Sequence, residues 1–214
     1  LAVLEQVAKT FSSENCPDFI AQEVAATWQE YVDYQDIRVL EIGMDLAYFD
    51  HLKRLAKDLD HPLLESLVTL TIDCYNVITV ERALSLKKPN SFMKQLLSDA
   101  GTLSAREVIQ CVEQGNLISW FQQVTPLPYD VELTQYEEQM RAGRVTAETV
   151  EYMEHVLKYR ILEQASFEID GPLPLARYLF GKELEVKNLR LVLTGLDNQL
   201  PIDKIKERMR PIYG

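Results

Sequence analysis

Apolar residues recur three or four positions apart along almost the whole chain, and this spacing places them on one face of a helix. The clearest case runs from residue 62 to about residue 86 and is stopped by residues 87–89, which include a proline. Its apolar stripe consists of Leu63, Leu67, Leu70, Cys74, Val77, Ile78 and Leu84. A second long helix, residues 37 to about 59 with Asp36 as its cap, precedes it. We predict an all-α protein whose long helices form antiparallel hairpins.

Capping residues and prolines divide the rest of the chain. Ser104 and Glu107 form a capping-box pattern, Thr146 caps a later helix, and Gly195 is expected to close a long one. The two prolines within residues 125–128 mark the best boundary between two helical modules. We predict further helices at residues 17–31, 92–97, 104–113, 116–122, 130–141, 146–167, 172–194 and 201–210. The predicted organisation has a first helical module at 36–128 and a second at 129–214, after residues 1–35 that end a preceding module or form connecting helices.

A weak internal repeat relates the two modules. When the two segments are aligned, Asp73 matches Glu185 and Asn76 matches Asn188. An acidic residue therefore precedes an asparagine by three positions in both long helices. Downstream, residues 101–109 align with residues 198–205. The two matches predict two copies of one unit, with a longer insert in the first copy. We expect the asparagines to fix the register of packed helices by hydrogen bonds across them, and direct contact with a partner is the alternative.

The charge of the chain excludes some classes of partner. A formal net charge of -11 disfavours a surface for nucleic acid or anionic lipid, because both require a cationic footprint. From Gly181 onward seven basic residues face five acidic ones, so the acidity lies mainly before that point. No apolar run approaches the roughly 20 residues needed to span a bilayer, so we expect any membrane association to pass through a partner.

The cysteines indicate the redox compartment of the protein, and the first residue bears on whether an N-terminal part is missing. Three cysteines, an odd number without a C-x-x-C pair, predict neither a disulfide framework nor a zinc knuckle and fit a reducing cytosol. Nothing at the start of the chain has the pattern of a signal peptide. The first residue is Leu1 rather than methionine, so we expect that an N-terminal part is missing.

No motif in the chain indicates catalysis. His51, His61 and His155 lie in no H-E-x-x-H pattern, and no cysteine or carboxylate pair completes a metal set around them by spacing. The glycine patterns that cradle nucleotide phosphates and the G-x-S-x-G pattern of serine hydrolases are absent. We therefore predict no catalytic, cofactor-binding or metal-binding residues.

Several segments resemble a known family. Residues 171–195, together with Leu200, Pro201 and residues 204–208, closely resemble the C-terminal signature of the C subunit of the V-type and archaeal-type rotary ATPases, which is named d in eukaryotes. Residues 42–49 and 72–83 resemble the family's preceding "D-x-x-Y" and "I-D-x-x-N-I" helices. The residues that carry the resemblance are Asp45, Tyr48, Asp73, Asn76, Arg82, Glu185, Asn188 and Arg190. The position of the arginine differs between the two halves: Arg82 lies six positions after Asn76, whereas Arg190 lies two positions after Asn188. The two arginines therefore cannot be given the same role.

The resemblance implies a fold and a role. The family is built from three helical modules around a pseudo-threefold axis, of which two are recognisable here. It implies a non-catalytic central-stalk (rotor) subunit of an ion-transporting ATPase or ATP synthase, peripheral on the cytoplasmic face of the membrane and without a membrane span. The implied partners are the central shaft formed by the D and F subunits and the membrane proteolipid ring, between which torque would pass. No cofactor is implied.

Two loops that follow long helices are the expected partner contacts, because such loops are exposed. Their residues are Lys87, Lys88, Asn90, Asp197, Asn198 and Gln199. Two other functions remain open. A helical scaffold of another complex would require a repeat of about 34 to 47 residues, whereas the asparagines lie about 112 apart. An all-helical enzyme would require a deep pocket ringed by titratable side chains.

Overall fold

A computed structural model describes residues 6–7, 9–10, 16–124, 131–143 and 145–212, and every regular element within these ranges is a helix. The predicted all-α class is confirmed. The predicted boundary at residues 125–128 lies outside the described part of the chain. The helices are α1 (Asp18–Tyr34), α2 (Ile37–Asp58), α3 (Pro62–Ser85), α4 (Asn90–Leu96), α5 (Ala105–Glu113), α6 (Leu117–Val124), α7 (Val131–Arg141), α8 (Ala147–Glu163), α9 (Leu173–Asp197) and α10 (Ile202–Lys206).

Side-chain caps fix three of the helix starts, as the sequence predicts. The Asp36 carboxylate accepts the Arg38 backbone N–H at 3.0 Å, and the Thr146 hydroxyl accepts the Thr149 N–H at 3.2 Å. Ser104 and Glu107 form a complete capping box, in which the Glu107 carboxylate accepts the Ser104 N–H at 2.9 Å. Each cap satisfies an N–H that has no partner inside its helix and contributes about 1 kcal/mol.

The two longest helices end in the same way. Lys87 after α3 and Gln199 after α9 have left-handed φ values of 54° and 55°. The next amide in each case donates back to the helix, from Lys88 to the Ala83 oxygen at 2.9 Å and from Leu200 to the Gly195 oxygen at 2.8 Å. These bonds satisfy carbonyls that the helix itself leaves without a donor.

Gly195 does not stop its helix, so the expectation that it closes α9 is wrong. It is buried within α9, three residues before Asn198. A Cβ at this position would lie 2.7 Å from Cδ1 of Ile205, which packs directly over it. The glycine therefore serves close packing of α9 against α10 rather than a turn.

Two further helix ends differ from the predictions. α8 ends at Glu163 rather than at residue 167, because the amides of Ala165 and Ser166 bond to carbonyls three positions back and tighten the chain into a turn. α10 ends at Lys206 rather than at residue 210, and the backbone amide of Arg210 bonds to a side chain of α9 instead.

α8 lies between α3 and α9 and runs antiparallel to both. Arg82 near the end of α3 pairs with Glu151 near the start of α8 at 3.4 Å, whereas Leu67 near the start of α3 packs on the apolar cluster that contains Leu162 near the end of α8. On the other side, Arg177 of α9 pairs with Glu163 of α8 at 2.7 Å. α3 and α9 are therefore parallel, and their C-terminal ends lie at the same end of the bundle.

The main core forms where α3 meets α8 and the short helices. It includes the fully buried Trp120 and Phe121 of α6, Met93 of α4 and Met153 of α8. Each buried side chain of this size contributes about 1.5–3 kcal/mol. On the opposite side of α3, α2 packs through Phe49, whose ring lies 4.6 Å from that of Tyr75. α1 then packs on α2 through Thr27, which lies against Gly43.

α3 reaches the length and apolarity of a membrane-spanning helix, with a mean hydropathy of 1.4 over its most apolar window. Within the described residues it is the one helix that does so. Ten of its residues are buried by other parts of the protein, and these include the polar pair Asp73 and Asn76. Its apolar composition thus matches its position in the core.

The structure relates the two halves by a constant shift of 112 positions. This shift brings the starts of α1, α2, α3 and α4 to within two residues of the starts of α7, α8, α9 and α10, whereas α7 and α8 end several residues before the shifted ends of α1 and α2. It also pairs Pro89 with Pro201, the caps of the short helices, and the buried Met93 with the buried Ile205. Residues 101–109 therefore do not correspond to residues 198–205, and the predicted insert in the first copy is wrong.

The left-handed positions after α3 and α9 give a prediction about stability. Lys87→Gly and Gln199→Gly should each raise the free energy of unfolding by about 1 kcal/mol, because glycine has no Cβ to penalise a positive φ. Urea unfolding followed by circular dichroism measures the change. Lys88→Gly is the matched control and should stabilise nothing, since Lys88 lies outside the positive-φ positions. An equal gain from all three substitutions would contradict the explanation.

Candidate functional site

Asn76 holds the chain that returns along α3. Its side-chain amide donates to the Ser98 carbonyl at 2.8 Å, and its carbonyl oxygen accepts the Ser98 N–H at 3.0 Å. Asn76 is fully buried and Ser98 nearly so. Both polar groups of one peptide position thus obtain partners inside the protein, where leaving either without one costs about 1–3 kcal/mol.

Asn188 makes the same pair of bonds in the second half. It donates to the Arg210 carbonyl at 3.1 Å and accepts the Arg210 N–H at 2.8 Å. In both halves the clamped residue follows the asparagine by 22 positions. We call each pair of bonds an asparagine clamp. The asparagines were expected to bond across packed helices, but their partners are the backbones of the non-helical segments after α4 and α10.

Asp73 fixes the same return segment one helical turn before Asn76. Its carboxylate accepts the Thr102 N–H at 2.7 Å and the Thr102 hydroxyl at 2.6 Å. Gly101 comes so close that a Cβ there would lie 2.3 Å from the carboxylate. Burial raises the pKa of Asp73, while the bonds from Thr102 and the charge of Lys53 oppose that rise.

Glu185 does not repeat the role of Asp73, although the two residues are aligned. Its carboxylate is 40% exposed and pairs with Lys182 of the same helix at 2.7 Å. The position equivalent to Thr102 under the 112-residue shift is Gly214, which lies outside the described residues. Of the two aligned pairs, Asp73/Asn76 and Glu185/Asn188, only the asparagines make equivalent hydrogen bonds in the described part of the chain.

The other motif residues lie on the surface. Asp45 and Tyr48 are exposed on α2, and partial burial followed by the charge of Glu41 raises the pKa of Asp45. Arg82 is exposed and pairs with Glu151 of α8. Arg190 is exposed on α9, where it lines a cavity between α8 and α9.

The six loop residues expected to contact partners are all exposed. Lys87, Lys88 and Asn90 follow α3, while Asp197, Asn198 and Gln199 end α9 or follow it. Because α3 and α9 are parallel, the structure brings both loops to one end of the bundle. The apolar side chain of Leu86 is 70% exposed beside them, and that of Leu196 is 55% exposed. This helix-end surface combines exposed apolar and charged groups, as protein-binding surfaces do.

A charged cavity of about 500 Å³ is lined by residues of α8 and α9 and by Arg210. It contains His155, whose Nε2 lies 2.6 Å from the Lys187 Nζ, so the ammonium donates to a neutral imidazole. Burial, followed by the charges of Lys187, Arg210 and Lys158, lowers the pKa of His155 to about 3. Burial and the neighbouring cations thus explain the lowered pKa of His155, and no catalytic role is needed to account for it.

Within the residues that the structure describes, no group of three or more histidine, cysteine, aspartate or glutamate side chains has metal-binding geometry. Of the three cysteines, Cys74 is buried and the other two are partly buried, and none forms a disulfide bond.

Sequence reasoning found both asparagines but missed their partners. Ser98 and Arg210 contribute backbone atoms, which carry no residue-specific signal. The shared spacing of 22 positions was invisible for the same reason. The Lys187–His155 contact joins helices with opposite directions, so spacing along the chain does not reveal it.

Removing either asparagine tests the clamps. Asn76→Ala should lower the free energy of unfolding by about 2–3 kcal/mol, because it leaves the buried Ser98 peptide without partners. Asn188→Ala should cost less, since Arg210 is only partly buried. Asn198→Ala is the control, because Asn198 is exposed and donates only to Thr194 of its own helix. Chemical unfolding measures all three, and equal effects at Asn76 and Asn198 would refute the clamp.

His155 predicts a pH dependence. Because the folded state lowers its pKa from 6.5 to about 3, its contribution is fully present above about pH 6.5 and is lost as pH falls toward 3. Between pH 6.5 and 5 the stability should fall by at most about 1.4 kcal/mol per pH unit from this group. His155→Gln keeps an acceptor for Lys187 and does not titrate, so urea midpoints of this variant should depend less on pH. An unchanged slope would show that His155 is not responsible.

Two comparisons with known proteins give matches. A family model described as ATP synthase (C/AC39) subunit matches residues 3–208. The chain is also 27% identical to the C subunit of the V-type sodium ATPase of Enterococcus hirae over 216 residues, which cover 100% of this chain and 64% of the relative. The chain thus spans slightly less than two thirds of that relative's length. No solved structure matches the chain significantly.

The family match extends over both halves of the molecule and includes both Asn76 and Asn188. The relative is the same type of ATPase component that the sequence motifs resemble. This chain belongs to the ATP synthase (C/AC39) subunit family, which includes the C subunit of V-type ATPases.

Proposed function

We propose that this protein is a non-catalytic central-stalk subunit that links the D/F shaft of a V-type ATPase or ATP synthase to the membrane proteolipid ring. In this role it sits on the cytoplasmic face of the membrane and transmits torque. Family membership supports the assignment. The observation that carries it is that α3 and α9 are parallel and deliver two equivalent exposed loops to one end of a packed helical body.

The packing suits a part that transmits force. α8 contacts α3 through the main apolar core, and it contacts α9 through a smaller apolar cluster that contains Leu162 and Leu173 and through the Arg177–Glu163 ion pair. Protein interiors of this kind are close-packed and deform little. A rotation applied to the helix-end surface would therefore reach the far end, where His61, which precedes α3, lies 3.7 Å from Glu168 after α8.

A binding experiment tests the assignment directly. The purified chain should recover the D and F subunits and the proteolipid ring from the same ATPase, each mixed with it separately. Recovery of neither partner by correctly folded protein would overturn the proposal. A nucleotide-binding measurement on the same sample checks the non-catalytic role, and saturable ATP binding would contradict it.

Charge changes at the helix-end surface should separate the two partners. Lys87→Glu combined with Gln199→Glu adds negative charge to both equivalent loops and should weaken binding of one partner about tenfold or more. The other partner should bind within about twofold of the wild-type affinity, because a link contacts its partners at different ends. Asp58→Lys at the exposed C-terminal end of α2 is the control and should spare the affected partner. Loss of both partners, or of neither, would place the contacts elsewhere.

A further inference from the structure

The charged cavity of about 500 Å³ beside α8 and α9 is lined by basic side chains from three segments of the chain. One lies on α8, two lie on α9, and one lies in the segment that Asn188 clamps. In that order they are Lys158, Lys187, Arg190 and Arg210. Sites for small ligands have volumes of about 300–1,000 Å³. The cavity is therefore large enough for a small ligand, and four positive charges border it.

The three carboxylates that line the cavity all have cationic partners. The ion pairs are Glu151 with Arg82, Glu154 with Lys158, and Glu183 with Lys187. Among the described residues, Arg190 and Arg210 have no carboxylate partner. Nε of Arg210 is buried without a hydrogen-bond partner, and its Nη1 lies 3.5 Å from the Arg208 carbonyl oxygen. Two guanidinium groups at the cavity thus remain without a counter-charge.

His155 shows the sign of the electrostatic potential in the cavity. It is 6% exposed, its Nε2 accepts from Lys187, and its Nδ1 is buried without a hydrogen-bond partner. Burial comes first among the causes that lower the pKa of His155, and the neighbouring charges that act on it are all positive, from Lys187, Arg210 and Lys158. The cavity is therefore electropositive beside His155, although the chain as a whole has a net charge of -11.

The first half of the molecule has the same helix order without this basic cluster. A shift of 112 positions converts the four basic residues into Leu46, Tyr75, Ile78 and Ser98, and it converts His155 into Gly43. None of these five residues is charged. The repeat fold therefore does not require the cluster, and placing like charges close together costs free energy. A group of charges that the fold does not need, beside a strongly perturbed histidine, indicates a binding site.

Unpaired arginines favour a phosphate group as the ligand. A guanidinium donates two parallel N–H bonds to phosphate oxygens, and two such charges balance a group that carries about -1.5 to -2 at pH 7. No phenylalanine, tyrosine or tryptophan lines the cavity in the described part of the chain, so a nucleotide base would have no ring to stack on. We propose that the cavity binds a small phosphate-bearing ligand between Arg190 and Arg210. This inference does not depend on the rotor role.

The phosphate group could come from a dissolved ligand or from a phospholipid headgroup, since both share this chemistry. The net charge of -11 opposes approach to an anionic membrane, so the dissolved ligand is the expected source. Once bound, it would connect α9 with the segment that Asn188 clamps, because the two arginines lie on these two parts of the chain.

Calorimetric titration with inorganic phosphate tests the proposal. The chain should bind phosphate saturably with a Kd of about 1 mM or tighter. Arg190→Gln and Arg210→Gln should each weaken binding about tenfold or more, because each removes a charged double donor. Arg208→Gln is the matched control, since Arg208 pairs with Glu148 at 3.1 Å and does not line the cavity. Its affinity should stay within about twofold of wild type, because exposed ion pairs contribute little.

Several outcomes would overturn the proposal. One is the absence of saturable phosphate binding by correctly folded protein, and another is equal weakening by Arg208→Gln, which would indicate a general charge effect. Acetate at the same ionic strength should bind at least about tenfold more weakly, and equal binding would reject phosphate chemistry. Vesicles that contain phosphatidylglycerol separate the two sources. Binding to these vesicles that Arg190→Gln abolishes, without binding of inorganic phosphate, would contradict a dissolved ligand and identify a headgroup.

Nuclear magnetic resonance of the histidine rings gives an independent measurement at pH 7. Phosphate should shift the ring resonances of His155 with the same Kd as the calorimetry, because the anion lies beside this ring. His51 is the control, since it stacks on Phe19 at 3.8 Å and does not line the cavity. Arg190→Gln should remove the response of His155. Unchanged His155 resonances at saturating phosphate would place the anion elsewhere and contradict the proposal.

Discussion

The side-chain amide of asparagine donates and accepts hydrogen bonds much as a peptide group does, and the structure depends on this property at Asn76 and Asn188. After each long helix the chain turns, forms a short helix and returns without regular structure. Its peptide groups then lack the partners that a helix would supply. Each clamp provides both partners at one position 22 residues later. The bonds fix where the returning segment lies and hence where the loop between helix and return is placed.

The clamps act together with packing to orient the functional end. α8 binds α3 through the apolar core, and it binds α9 through a smaller apolar cluster, the Arg177–Glu163 ion pair and the Lys187–His155 contact. Its antiparallel direction relative to both makes α3 and α9 parallel. The two loops after them are similar in backbone conformation, with left-handed residues at Lys87 and Gln199. One packing relation therefore converts a repeat in the sequence into a surface with two related contact points.

Differences between the halves are as informative as the likeness. Asp73 is buried and holds Thr102, whereas Glu185 reaches solvent and pairs with Lys182. Gly195 lets Ile205 approach α9, whereas Ala83 occupies the equivalent place beside Met93. α8 buries the face of α3 that carries Cys74 and Val77, whereas the equivalent face of α9, with Val186 and Leu189, is exposed. The halves share a backbone plan, but the surroundings of equivalent residues decide which of them become core.

The sequence by itself determined the all-α class, most helix starts, the family and the two asparagines. These features follow from interactions between residues at most a few positions apart, or from motifs that extend along one helix. It misplaced the helix ends at Gly195 and near residue 210, and it set the downstream repeat in the wrong register. Only the tertiary structure decided these points, because Ile205, Asn188 and Ser98 meet their partners across separate segments. Local spacing specifies a helix and its apolar face, whereas the element that covers the face is set by packing between distant parts of the chain.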